Sequence, residues 1–343
     1  MIKKFIRDHP LHKKISPVFD ALFLLRPTLF FPVWIMITAG MTASRMNISR
    51  YQVWLHDFDL STLSLFIGIT FISGGSFIIN QIMDVDSDAL NKKLFLVGKY
   101  IPVPAARKIM YLTLISGSIF LLISGIYNFL TGALLFLFWG YLYNIEPFHW
   151  KQKPILGMFA NSAAGFLLYA SGWLHVVASE GFSLNEFAFG KMVIISIPYL
   201  LCYTAVSLLT TIPDIKGDEP TGSITFPVKF GSFATIFISM IMVLAAFVLG
   251  WTYDDPVSTT AAAISLPFYI FTLIRRENKD VLRAIRYSIL ILAVLLFTVY
   301  PLLFPAVLIV FYLSKYYYWH RFNLHYPTFQ VDDNISASPA EKA

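Results

Sequence analysis

The chain has 343 residues, of which 57% are hydrophobic and 13% charged. Soluble domains carry roughly a quarter charged residues, and the apolar residues here run in blocks near the length that crosses a bilayer, which excludes a water-soluble globular protein. The net charge of +6 fits the Lys and Arg excess of cytoplasmic loops in membrane proteins rather than a nucleic-acid surface, and a single cysteine, Cys202, excludes an internal disulfide or a cysteine metal site.

Residues 1–19 form a basic segment with no cleavable apolar region of its own. Membrane helices are expected at 20–44, 62–83, 105–126, 128–143, 154–177, 191–212, 232–252, 258–274 and 284–300, about nine in all. Residues 302–318 are apolar too, and read as a tenth crossing or as a packed terminal segment. No long polar linker divides the chain, so 20–318 reads as one membrane domain, followed by a polar tail, 319–343, that ends in disorder.

Loop charge sets the expected orientation. The loops at 84–104, 144–153, 214–231 and 275–283 carry Lys92, Lys93, Lys99, Lys151, Lys153, Lys216, Lys229, Arg275, Arg276 and Lys279. The opposite loops carry far fewer Lys and Arg: Arg45 and Arg50 in one, none at 178–190, and only Asp254 and Asp255 at 253–257. The asymmetry places the N-terminus and the first set of loops in the cytoplasm, for a multi-pass protein of a bacterial or archaeal cell membrane.

Two acidic motifs stand on that cytoplasmic side. The first reads Asn80-Gln-Ile-Met-Asp84-Val-Asp86-Ser-Asp88, the second Thr211-Ile-Pro-Asp214-Ile-Lys-Gly-Asp218. The recurrence of D-x-x-x-D hints at two related halves, each giving one acidic corner to a shared cavity. On a helix, residues four apart share a face, so Asn80, Asp84 and Asp88 are expected to form one stripe over two turns. Like charges so placed repel, and a carboxylate deep in a bilayer costs about 2.5–3.5 kcal/mol. The motifs are therefore solvated loop ends, or they face a polar cavity that holds cations. Oxygen ligands without His or Cys suit Mg²⁺ bound together with substrate phosphates rather than zinc. Lys92, Lys93, Lys151, Lys153, Lys216 and Lys229 could hold phosphate oxygens as point charges, or simply mark topology. A nucleotide-type glycine loop is absent, which argues against ATP or GTP.

The chain also has 32 Phe, 18 Tyr and 7 Trp. Aromatic faces can stabilise a carbocation in a dry site. Tyr141 and Tyr143 stand closest to the motifs in this topology, and an interfacial aromatic belt would place them there too.

These residues resemble a known family. Asn80-x-x-x-Asp84-x-x-x-Asp88 is similar to the first aspartate motif of UbiA-type intramembrane prenyltransferases. Asp214-Ile-Lys-Gly-Asp218, with Gly222, Thr225, Pro227, Val228 and Gly231 behind it, resembles the second. Tyr143-Asn-Ile-Glu-Pro147 with Lys151 and Lys153 looks like the family's stretch after helix 4, and Arg26-Pro27 like its early Arg-Pro. The resemblance implies an all-α bundle around a central cavity open to the cytoplasm. It implies Mg²⁺ and diphosphate held by Asn80, Asp84, Asp88, Asp214 and Asp218, with Asp86 as a further ligand or a surface residue. Arg26, Lys92, Lys93, Tyr143, Lys151, Lys153 and Lys216 are the implied substrate contacts. The implied reaction transfers a prenyl group from an isoprenyl diphosphate to an aromatic quinone precursor, a chlorophyllide-like ring or a lipid hydroxyl, in contact with membrane lipid and without nucleic acid or an obligate protein partner. The chain departs from the family pattern at Asn91-Lys92-Lys93, at Thr210-Thr211 and at Glu219. A diverged member of the fold, such as a terpene cyclase or a non-catalytic binder, is the second reading. A cation or solute transporter is the third, although transporters place charged sites near the midplane rather than at helix ends.

Overall fold

The computed structural model describes residues 10–49, 59–85, 96–220 and 222–328. Asp86, Asp88, Lys92, Lys93 and the tail beyond 328 lie outside the described residues. The described chain is helical; its one β contact is an isolated bridge between Val97 and Ile101. In chain order the helices are α1 (Pro10–Leu24), α2 (Phe30–Ser44), α3 (Leu60–Met83), α4 (Val103–Ser124), α5 (Ile126–Leu135), α6 (Pro154–Ser179), α7 (Glu186–Thr210), α8 (Phe226–Thr252), α9 (Pro256–Arg275), α10 (Asn278–Phe297) and α11 (Leu303–Phe322).

Seven segments among the described residues are long and apolar enough to cross a membrane, the first of them Lys14–Ile48. The others are α3, α4, α6, Ala188–Asp214, α8 and α9. The expected 20–44 helix is broken: Arg26 adopts φ +55 and a short 3₁₀ turn, Pro27–Leu29, joins α1 to α2. The proline supplies the turn's first residue, where its missing N–H costs nothing. The break is held from outside, because the buried Gln81 side chain donates to Leu24 O at 2.7 Å. The expected 128–143 helix starts earlier and runs on from α5 as a π turn, Phe136–Leu142. The apolar stretch after 300 is a helix, α11.

Buried apolar residues fall into two clusters. The larger draws on α1 to α7 and on α10 and α11, and includes Leu65, Ile69, Leu168 and Trp173. The other gathers α7 to α10 around Ala205, Val243, Ala262 and Ala284. The first acidic motif stands at the end of α3, in the first cluster, and the second at the end of α7, whose residues enter both. At the opposite end of the bundle, Arg45 pairs with Glu180 at 3.1 Å and donates to Tyr300 Oη at 3.0 Å, which ties the ends of α2, α6 and α10. Many residues of α4, α8 and α11 turn large apolar side chains outward, among them Leu112, Phe237 and Ile309, as helices facing lipid must.

Candidate active site

The last turn of α3 builds the first acidic corner. The helix ends at Met83, and Asp84 is its C-cap with φ −104 and ψ 12. Of the stripe expected over two turns, Asn80 and Asp84 are among the described residues, and Asp88 lies outside them. Asn80 donates through Nδ2 to Asp84 Oδ2 at 2.7 Å and to Asn144 Oδ1 at 3.0 Å. Asn144 is buried, and its own amide donates to Trp139 O at 2.9 Å and Gly140 O at 3.0 Å. Both carbonyls belong to the π turn, where the Tyr143 N–H reaches back to Phe138 O. The Asn144 side chain is thus anchored on two carbonyls of that turn. The Asn80–Asn144 bond thereby sets Asp84 beside the residues that follow the π turn.

Past the π turn the chain reverses through His149, at φ +42, into the 3₁₀ turn Trp150–Gln152. That turn presents Lys151, whose ammonium pairs with Asp84 Oδ1. Burial holds the His149 imidazole below its usual range, and the Lys151 charge adds to the effect, so this ring is neutral at pH 7 and adds no charge to the corner.

The second corner forms where α7 gives way to a 3₁₀ turn, Ile212–Asp214, and a single helical turn, Ile215–Asp218. Thr225, the N-cap of α8, donates to Asp218 Oδ2 at 3.3 Å, and the Ser223 N–H donates to Asp218 O at 3.0 Å. Gly222, at φ +72, makes the turn between them. The Gly and Thr that follow the second motif are thus parts of the frame that orients Asp218.

Tyr143 lies near both corners. Its phenol hydrogen-bonds the Asn161 side chain and lies within electrostatic reach of Asp84, Asp218 and Asp214 together. Asn161 in turn accepts from Trp139 Nε1 at 3.0 Å. Tyr141 turns the other way, exposed and packed on Phe148 with ring centroids 5.9 Å apart.

Other expected contacts stand apart. Arg26 acts electrostatically on Tyr318 of α11, and no described hydrogen bond or ion pair joins it to the carboxylates. Lys153 is the exposed N-cap of α6, two residues from Lys151. The side chain of Lys216, like Asp88, Lys92 and Lys93, lies outside the described residues. Asn144 and Asn161 carry no signal in the aspartate motifs; only a buried amide at a membrane helix end could have pointed to them.

A cavity of about 710 Å³ opens beside the corners, within the usual range for small-molecule sites. Asn161, Thr210 and Pro213 line its acid end, and Tyr199, Ser258 and Phe304 its far end. Between them the wall is mostly apolar and aromatic, including Trp34, Phe77, Trp139 and Tyr203. Cys202 faces this space as well.

Among the described residues no group of three or more His, Cys, Asp and Glu side chains could hold a metal by itself. The donor set still fits Mg²⁺, which keeps waters and shares substrate phosphates rather than needing an all-protein cage. It offers one carboxylate at Asp84 and two at Asp214 and Asp218, all oxygen, with a cation, Lys151, already on one of them.

Replacing Asn144 by leucine removes its hydrogen bonds to the Trp139 and Gly140 carbonyls and to Asn80. A loss of about 1–3 kcal/mol is expected, read as a lower unfolding midpoint in detergent, together with weaker activity. An unchanged midpoint would show that this amide does not brace the corner.

The UbiA prenyltransferase family matches residues 33–287, most of the chain. A digeranylgeranylglyceryl phosphate synthase of Methanocaldococcus jannaschii is 27% identical over 188 residues, 54% of this chain and 61% of that protein. A chloroplastic 2-acyl-4-prenylphloroglucinol 6-prenyltransferase of Humulus lupulus is 27% identical over 219 residues, 61% of this chain and 51% of that protein. The chain thus spans only about half to three fifths of these relatives. Among solved structures, a UbiA homologue of Archaeoglobus fulgidus bound to GPP and Mg²⁺ superposes with a TM-score of 0.61 at 18% identity, covering 82% of this chain and 99% of that one. The apo structure of a UbiA homologue of Aeropyrum pernix K1 gives 0.60 at 15%, covering 81% and 97%.

Proposed function

Because this chain belongs to the UbiA prenyltransferase family, we propose that it transfers a prenyl group from an allylic isoprenyl diphosphate to a lipid-soluble or amphipathic acceptor, with Mg²⁺ as cofactor. The observation that carries this reading is that Tyr143 lies within electrostatic reach of carboxylates from both motifs and bonds Asn161, which lines an apolar chamber. The two parts suit the two ends of a prenyl diphosphate. Oxygen donors and a lysine meet the charged end, and an apolar cavity receives the tail.

Asp84, Asp214 and Asp218, with Asp88 from the first motif, are the proposed carboxylates, and Mg²⁺ held there would neutralise the departing diphosphate. Asn80 and Asn144 position Asp84. Lys151, drawn off Asp84 when that carboxylate takes a cation, is free to hold phosphate oxygens as a point charge. Tyr143, within electrostatic reach of both corners, is a proposed contact of the substrate. The allylic C–O bond breaks with its electron pair leaving on the diphosphate. The carbocation left behind faces Trp139, Phe77 and Tyr203, whose rings stabilise positive charge and keep water out. The acceptor then supplies an electron pair and loses a proton. The relatives named above act on a glyceryl phosphate lipid and on a phloroglucinol ring, so a lipid hydroxyl and an aromatic carbon are both acceptor chemistries to try. The protein is an integral multi-pass membrane protein; the Lys and Arg excess in the loops at the acid end favours the cytoplasm for that end.

The test is transfer of labelled geranylgeranyl or farnesyl diphosphate by the full chain in membranes, with and without Mg²⁺. Mg²⁺-dependent label in a lipid product is the expected result. A chain that transfers nothing, while vesicles carry ions or solutes through it, would overturn the reading. Within it, Lys151→Gln is expected to raise the Kd for the diphosphate about tenfold or more, as for loss of a charged hydrogen bond. An unchanged Kd would remove Lys151 from the substrate contacts.

A further inference from the structure

The chamber has a wall that lies outside the stretch matched to the family. The match ends at residue 287, and α11 begins at Leu303. Phe304, Val307, Leu308, Phe311 and Ser314 of α11 all line the cavity. Their spacing of three and four residues makes them one helical face. From Ser314 to Phe304 that face runs about 15 Å at ~1.5 Å per residue. It passes from the end near the Thr328 carbonyl and Arg286 to the end where Phe304 meets Phe297, ring centroids 5.4 Å apart.

Fastenings at both ends hold α11 in place. At the acid end, Tyr317 Oη donates to Asp20 Oδ1 at 2.6 Å, while Arg321 donates through Nε to Oδ1 at 3.1 Å and through Nη2 to Oδ2 at 3.0 Å. Tyr317 stacks on Phe23 at 3.9 Å, and the Arg321 guanidinium lies over the Tyr100 ring at 4.4 Å. Asp20, Phe23, Tyr317 and Arg321 all fall outside residues 33–287. At the far end the Phe297–Phe304 contact fastens it. Between these anchors the lining face of α11 looks into the chamber, between the residues contributed by the α1–α2 turn and those of α10.

We propose that α11 is the ruler of the prenyl chamber, and that Val307, at mid-depth, and Phe304, at the far end, set the longest prenyl chain this protein accepts. The inference rests on the function proposed above, which puts the diphosphate at the acidic corners. A tail leaving that end runs along α11, and its terminal isoprene units meet Val307 and then Phe304. A larger side chain at 307 shortens the track; a smaller one at 304 lengthens it. Side-chain volume in an apolar pocket discriminates by about 10–200-fold per methylene-sized step.

The experiment measures binding of unreactive thiolo analogues of geranyl, farnesyl, geranylgeranyl and geranylfarnesyl diphosphate, with Mg²⁺, to the full chain in nanodiscs. Val307→Trp is expected to weaken the two longest analogues at least about tenfold while geranyl binding stays within about twofold of wild type. Phe304→Ala is expected to move the preference the other way, towards the longest analogue, by about the same factor. The two substitutions act in opposite directions, so general damage to the fold cannot imitate the pattern. If both variants change all four affinities by one common factor, or change none, α11 is not the ruler and the diphosphate site stands. If the wild-type chain binds no analogue, the proposed reaction falls, and the ruler falls with it.

Discussion

Alanine at Asp84 or at Asp214 is expected to lower kcat/KM for prenyl transfer about 10³-fold, with expression and helix content retained. A cation at a leaving group supplies several kcal/mol of charge stabilisation, and about 4 kcal/mol is a factor of 10³ in rate. Neither carboxylate sits in a hydrophobic core: Asp84 caps a helix end and Asp214 closes a 3₁₀ turn. Their loss therefore removes chemistry rather than packing. Asp84→Asn sharpens the argument. The amide keeps the shape of the side chain and can still accept from Asn80, but it gives up the charge that pairs with Lys151. In Mg²⁺-free buffer this variant should bind a diphosphate more tightly than wild type, because the Lys151 ammonium is released. With Mg²⁺ it should transfer poorly and respond weakly to added metal. Steady-state kinetics across a Mg²⁺ series reads both effects. Wild-type metal dependence in Asp84→Asn would mean that the first corner does not hold the cation.

The parts of this site that are legible in the sequence are those that break a pattern. In uniformly apolar helices a carboxylate stands out, since each must be solvated or compensated. Asp84 and Asp214 therefore mark their helix ends. The geometry between the corners left no such mark. A π turn inserts one residue into a helix, and its phase shift is invisible where every face is apolar, as in Phe136–Leu142. The roles of Asn144 and Asn161 depend on that turn, because Asn144 donates to its Trp139 and Gly140 carbonyls and Asn161 accepts from the Trp139 indole. The fate of Tyr141 and Tyr143 also depends on it: two residues apart, one faces the carboxylates and the other Phe148. The break at Arg26 had its Pro27, yet Arg26 turns towards α11, a helix whose place in the bundle depends on contacts between the two ends of the chain.

The crossing of α2 and α6 is where a single methyl group should do the most damage to the fold. A Cβ on Gly40 would stand 1.9 Å from Tyr169 O, and one on Gly172 would stand 2.0 Å from Ile37 O. Each glycine faces the backbone of the other helix, so no side chain can rotate away; the helices themselves would have to part. Lipid gives membrane helices little hydrophobic drive to associate, and close backbone contact through small residues takes its place. Gly40→Ala and Gly172→Ala are each expected to cost about 3 kcal/mol or more, the upper end for overpacking a rigid core. They should lower the unfolding midpoint sharply in detergent or fail to accumulate. Gly190→Ala, in α7 with nothing within 4 Å of the added Cβ, is the control and should gain up to about 1 kcal/mol from helix propensity. Equal midpoints for Gly40→Ala and Gly190→Ala would refute the tight crossing. The cost would reach the chemistry as well. Trp34 and Met36 of α2 and Asn161 of α6 line the chamber, and Asn161 is the partner of Tyr143. Any variant of the crossing that still folds should therefore lose transfer activity in step with its stability, unlike Asp84→Ala, which should lose transfer alone.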